Sequence, residues 1–207
     1  MDGLADILIS RLPHLTRTWV MRNLFVAVAA FVATAATPMT ASRSAPPTVV
    51  LLVRHAEKAA QPVQDPPLTE SGRARAEALV PIAIDAGVSA IITTQFDRTK
   101  STAAPSAVAL SITPAIVQAG PLAQHAKAVA DEVLKHAGKT VLVVGHSNTI
   151  PAIVGALGGP TFRDLCDSEY DALFVVVIGD AGSPRSVRSR FGAPSPNDPS
   201  CPGMQPR

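Results

Sequence analysis

From residue 48 onward the chain alternates between two hydrophobic rhythms. "TVVLLV" (48–53), "VSAIIT" (88–93), "SITPAIV" (111–117), "TVLVVG" (140–145) and "ALFVVVIG" (172–179) are short, β-branched and almost continuously apolar, the pattern of strands covered on both faces. The stretches between them are longer and mix polar with apolar positions, as helices do. "LTESGRARAEALVPIAIDAG" opens on Thr69, a good N-cap, and stops at Gly87, a natural helix end. "FDRTKSTAAPSAVAL" and "LAQHAKAVADEVLKHAGK" supply two more helices, the second closing on His136 and Gly138 as helix C-termini favour. Strand-helix alternation of this kind predicts right-handed crossovers and an α/β three-layer sandwich, a mainly parallel central sheet with helices on both faces. "DAGSP" separates the last apolar strand from "RSVRSRFG" (185–192), which predicts an antiparallel C-terminal edge hairpin.

Composition changes this picture only at the two ends. The chain has 207 residues, 47% hydrophobic and 16% charged, enough for one packed domain. Part of the apolar content lies in "MRNLFVAVAAFVATAATPMTASRSA", where Arg22 precedes an apolar run from Leu24 to Ala36 and small-x-small sites end at Ala35 and Ala41. That is the layout of a secretory signal over about residues 21–41, so export to the periplasm or medium is expected, with Met21 as an alternative start. The competing reading is a retained anchor, for which the run falls short of the ~20 apolar residues a bilayer requires. Residues 1–45 are therefore read as leader and signal, 46–193 as the folded domain, and 194–207, rich in Pro and Ser, as a disordered tail. Once the leader is gone, no stable membrane insertion is expected.

The formal charge of +2 likewise belongs to the ends. Thr48 to Asp180 carries ten Lys/Arg against thirteen Asp/Glu, a net of −3, which leaves no basic face for nucleic acid. Two cysteines, Cys166 and Cys201, are too few for a metal cage or disulfide framework. In an exported protein they have the option of pairing and stapling tail to body, a free thiol being the alternative.

Candidate chemistry collects where strands end. In open parallel sheets ligands sit beyond the carboxyl ends of the strands, and two strands here end on histidine, "LLVRHAEK" at His55 and "VLVVGHSNTIP" at His146. A third, "SAIITTQFDRTKSTA", leads into a helix near Arg98. Topology thus predicts that Arg54, Arg98, His55 and His146 share one edge. After His146, Ser147 to Thr149 read as a helix N-terminus with Pro151 in its first turn, whose free N–H groups suit an anion. Planar guanidinium forks match phosphate oxygens and stay charged. One imidazole joins them in holding a phosphoryl group, and the other, kept neutral by the nearby cations, is the nucleophile. His125 and His136 are expected on a helix surface.

Two other chemistries fit less well. "GHSNT" approaches the G-x-S-x-G elbow of serine hydrolases, but Thr149 replaces the last glycine and no histidine follows His146. A metal held by His55, His146 and a carboxylate would face repulsion from two fixed arginines.

These motifs resemble those of the histidine phosphatase (phosphoglycerate-mutase-like) superfamily, in its small branch with few insertions. "LLVRHAEK" is similar to the R-H-G signature with Ala56 for glycine, "PLTESGRARA" to L-T-x-x-G-x-x-x-A, "TTQFDRTKSTA" to the second-arginine segment and "VLVVGHSNTI" to the second-histidine segment. The resemblance spans about Thr48 to Gly192 and implies a transiently phosphorylated His55, phosphoryl binding by Arg54, Arg98 and His146, and no metal or other cofactor. Many members carry a carboxylate after the second-arginine helix to protonate the leaving oxygen. "AIVQAGPLAQHAKA" contains none, so Glu57 is the first substitute acid expected and Asp65 the second. The resulting expectation is a metal-independent phosphatase for small phosphorylated substrates, phosphomonoesters or phosphohistidine. The alternative is a weak or inactive phosphate-ester-binding module.

Overall fold

The computed structural model describes residues 45–179 and 184–201; the leader, signal and alternative start, and residues 202–207 of the tail, lie outside them. Six strands form one sheet: β1 (Thr48–Arg54), β2 (Val88–Thr93), β3 (Ala115–Ile116), β4 (Thr140–Gly145), β5 (Ala172–Ile178) and β6 (Arg185–Arg190), in the order β3-β2-β4-β1-β5-β6. β1 to β4 are mutually parallel where they pair, and β5 and β6 run antiparallel at one edge. Helices α1 (Glu70–Asp85), α2 (Asp97–Leu110), α3 (Leu122–Leu134) and α4 (Thr149–Ala156) complete the alternation. The expected three-layer α/β architecture is therefore present.

Strand alternation explains the two cores. Val50 and Leu52 of β1 face a cluster with Val129 and Val133 of α3 and Ile150 and Ile153 of α4. Leu51 and Val53 point the other way, toward Leu79 and Ala83 of α1 and Ala103 and Ala107 of α2. A period of two in a strand buried on both sides produces this division. Among the described residues, no helix is long and apolar enough to cross a membrane.

Two expectations require correction here. The third strand shrinks to two residues because Ser111 is spent as the left-handed C-cap of α2, at φ 55, and Pro114 has no N–H to pair. The tail is not loose as far as Cys201. The Ser195 hydroxyl accepts from the backbone N–H groups of Tyr170 (2.9 Å) and Asp171 (3.1 Å), Ser168 donates to Asp198, and Cys201 is joined to Cys166 in a disulfide with a Cα–Cα distance of 6.0 Å. Short polar side chains that satisfy backbone donors impose order that Pro/Ser-rich composition does not reveal.

The "LTESGRA" segment shows why its residues stand where they do. Thr69 caps α1 by accepting from Gly72 N–H at 3.1 Å, and its own N–H donates to the Glu57 carbonyl at 2.9 Å. Gly72 then passes so close to Glu57 that a Cβ would overlap the Glu57 carbonyl oxygen. Gly72→Ala should therefore cost about 1–3 kcal/mol in stability, the usual penalty of overpacking. Urea unfolding reads this directly, and an unchanged midpoint would contradict the close approach.

Candidate active site

Register brings the two histidines together. Arg54 pairs with Gly145 across β1 and β4, and the His55 N–H donates to the Gly145 carbonyl at 2.9 Å, so each chain leaves the sheet at the same level. The two imidazole centroids lie 5.5 Å apart. His55 is 3% exposed, and His146 is half-buried.

Each ring is oriented by its own partner. His55 Nδ1 lies 2.8 Å from the Ala56 carbonyl. A carbonyl only accepts, so Nδ1 carries the hydrogen and Nε2 keeps the lone pair. His146 Nε2 bonds the Thr94 hydroxyl at 3.1 Å, and Thr94 bonds the Thr99 hydroxyl at 2.8 Å. Phe96 meets the His146 ring edge-on at 5.5 Å between centroids. Burial above all, with Arg54, His146 and Arg98 adding to it, pushes His55 down to about 3, against an opposing hydrogen bond to Ala56. Burial likewise leads in pushing His146 down to about 4, with Arg98, His125 and Arg54 in support and Asp65 opposing. Both rings are therefore neutral at pH 7, the form an imidazole nucleophile requires.

The arginines are held in different ways. Arg54 is 3% exposed; its Nη1 donates to the carbonyls of Cys166, Asp167 and Glu169 at 2.8, 3.1 and 3.2 Å, and its guanidinium lies 4.0 Å over the Tyr170 ring. Its buried Nε meets no acceptor among the described residues. A buried donor without a partner costs about 1–3 kcal/mol, and an anion is the partner that suits it. Arg98 sits in the first turn of α2 and stacks on Phe96 at 4.2 Å. Its Nη1 lies 3.5 Å from Asp65 Oδ1.

Neither carboxylate expected as an acid stands free. Glu57 receives the Arg75 fork, Nη2 to Oε1 at 2.7 Å and Nε to both oxygens at 3.0 Å. Burial alone would raise its pKa, but Arg75 outweighs burial and holds it below the usual carboxylate range. Asp65 accepts the Asp97 N–H with both oxygens at 2.9 Å, capping α2 beside Arg98. Glu57 is thus tied to Arg75, and Asp65 to the first turn of α2. Their geometry serves to position α2 and α1.

Four features were not legible as expected. His125 is buried, 3% exposed, with Nδ1 3.0 Å from the Gln118 carbonyl, so the surface expectation is corrected; its spacing of four from Val129, on the buried face of α3, was the available signal. Thr94 orients His146 from the end of β2, and Tyr170 reaches Arg54 from an irregular segment with no periodic pattern. The α4 N-terminus follows His146, but its N-cap Asn148 makes no side-chain cap bond; instead the His146 N–H donates to Thr149 Oγ1 at 2.8 Å.

Sequence and fold comparisons agree with this architecture. Residues 50–120 match the Histidine phosphatase superfamily (branch 1). The chain shares the α/β fold of histidine phosphatases. Among solved structures it is similar to the protein histidine phosphatase SixA complexed with tungstate, at 16% identity and TM-score 0.57, covering 69% of this chain and 96% of that one. Bacillus stearothermophilus YhfR is 23% identical with TM-score 0.52, over 67% and 94% of the two chains. A mycobacterial glucosyl-3-phosphoglycerate phosphatase is 14% identical with TM-score 0.51, over 70% and 99%. No curated protein matches the chain by sequence. At these identities the likeness is one of fold.

Proposed function

We propose that this protein is a metal-independent phosphatase acting through a phosphohistidine intermediate at His55. The observation that carries the reading is the buried His55, its Nδ1 held on the Ala56 carbonyl, set 5.5 Å from His146 beside the buried Arg54. His55 Nε2 attacks phosphorus with its lone pair while the bond to the leaving oxygen breaks. Water then attacks the phosphohistidine, returning the imidazole and releasing inorganic phosphate. Arg54, Arg98 and His146 surround the non-bridging oxygens, whose charge redistributes during transfer. The two guanidinium groups supply the positive charge that a divalent cation provides elsewhere.

The leaving group follows from the carboxylates. With Glu57 paired to Arg75 and Asp65 capping α2, neither carboxylate expected as the acid is free to protonate a departing alkoxide. Acid assistance contributes typically 10²–10⁴-fold, so the substrates favoured are those whose leaving group needs little help: phosphohistidine, acyl phosphates and aryl phosphates. Two structures of similar fold fit this range by their names, one a protein histidine phosphatase and the other a putative phosphohistidine phosphatase. The same observation supports the second reading, phosphate-ester binding with slight turnover. Hydrolysis of p-nitrophenyl phosphate in the presence of EDTA separates them. Sustained turnover supports the phosphatase, whereas tight phosphate competition without turnover on aryl or acyl phosphates supports the binding module. The leader's layout supports export as the setting for this activity.

Low pH provides a second test, with its sign set by the lowered histidines. A histidine neutral in the fold at pH 5 but charged in the unfolded chain contributes stability above pH 6.5 that is lost as pH falls toward about 3 for His55 and about 4 for His146. Stability should therefore decline from pH 6.5 downward, while the folded His55 ring stays neutral. NMR titration of the imidazole nitrogens should show His55 in one neutral tautomer from pH 7 to pH 5. Titration near 6.5 would contradict the buried-nucleophile geometry.

A further inference from the structure

The segment that seats Arg54 belongs to no helix or strand. Residues 166–170 form a turn, closed by a bond from the Glu169 N–H to the Cys166 carbonyl at 2.9 Å. Three carbonyls of this turn take Arg54 Nη1, and the ring of Tyr170 lies against the guanidinium plane. Without a ladder of sheet hydrogen bonds, the cradle is only as well placed as its anchors.

Those anchors come from two sides. Inside, the buried Glu169 carboxylate accepts from Cys166 N–H at 2.9 Å and from Arg163 and Arg188 at 2.8 and 3.2 Å. Outside, the tail holds the turn through Ser195 on Tyr170, Asp198 on Ser168 and the Cys166–Cys201 disulfide. The disulfide is the one covalent link, and Cys166 also supplies the shortest of the Arg54 bonds, at 2.8 Å. Among the described residues, reduction would leave the tail attached to the turn by single hydrogen bonds.

We infer that the Cys166–Cys201 bond is a positioning element for Arg54, and that the affinity of the site for phosphate depends on its oxidation. This rests on the reading of Arg54 as a phosphate ligand. The chemistry balances with a dithiol reductant: one thiolate attacks a sulfur of the bond to give a mixed disulfide, and the second thiolate displaces it. Cys166 and Cys201 each end as thiols, and the dithiol leaves as its cyclic disulfide, two electrons having passed. The fold itself, with the Cys–Cys link outside the three hydrophobic clusters, should persist.

The test compares the oxidised full-length chain, the same protein reduced by dithiothreitol, and the Cys166→Ser/Cys201→Ser double variant. Circular dichroism checks that each is folded. Inorganic phosphate is the binding probe. Its inhibition constant, and KM for p-nitrophenyl phosphate, should rise about tenfold in the reduced and double-variant proteins, the worth of one hydrogen bond to a charged group, with kcat changing less. In an Arg54→Lys background, reduction should add nothing further. A purely structural clip would lower activity in both backgrounds.

A readout independent of turnover follows the ¹⁵Nε–H signal of Arg54. It should be protected from solvent exchange when oxidised and lose that protection on reduction. If the thiols are titrated as free while phosphate affinity and the Arg54 signal stay unchanged, the inference is overturned. Should the Arg54 signal respond to reduction in a protein that neither binds nor hydrolyses phosphate, the coupling stands and the phosphatase reading falls.

Discussion

Alanine at His55 is expected to abolish turnover, lowering kcat roughly 10⁴-fold or more, as removal of a covalent nucleophile does in other enzymes. The geometry supplies the argument. His55 Nδ1 is committed to the Ala56 carbonyl, so the ring's reactive lone pair is at Nε2, and its burial keeps it unprotonated. His146 differs, since its Nε2 is engaged with Thr94. The loss should fall on kcat. Arg54, Arg98 and His146 remain in the variant, so inorganic phosphate should still compete for the site with an inhibition constant near that of the wild type. Steady-state kinetics with p-nitrophenyl phosphate gives both numbers, and turnover that survives the substitution would remove His55 from the mechanism.

The second large effect is expected at Arg54. Arg54→Ala should lower kcat about 10²–10³-fold, the usual cost of losing one donor to a developing anion, and should also weaken phosphate inhibition. Arg54→Lys should rescue little. The ammonium of lysine has no second arm, whereas Arg54 uses Nη1 to grip three carbonyls and leaves Nε without a protein partner. Rescue by lysine to within a few-fold would mean that the charge alone matters and the fork does not. Near-UV circular dichroism guards against misfolding, because the variant also strips the 166–169 carbonyls of their donor.

Much of the placement was legible in the sequence because strand periodicity dictates it. Continuous apolar runs ending at Arg54 and Gly145 imply neighbouring buried strands, and the Arg54 to Gly145 pairing then sets His55 level with His146. Arg98 was legible as the first turn of a helix following a strand. Thr94 was not, because a threonine at a strand end carries no signal until its histidine partner is in place. Tyr170 and the carbonyls of Cys166 to Glu169 come from a turn more than 110 residues beyond Arg54, and irregular segments have no period from which to infer direction. The tail misled through composition: Ser195 and Asp198 look like linker residues, yet each satisfies a donor of the cradle. Glu57 is near His55 in sequence. Arg75, one turn beyond Gly72 on α1, claims it in three dimensions.

The central claim is that phosphorus becomes bonded to His55. Brief mixing of the oxidised protein with substrate, followed by quench and peptide mapping, tests it most directly. The account predicts phosphate on the peptide containing His55, stable to base and labile to acid, and absent from the His55→Ala protein. A protein that turns over substrate while carrying no such phosphate, or carrying it on another residue, would contradict it.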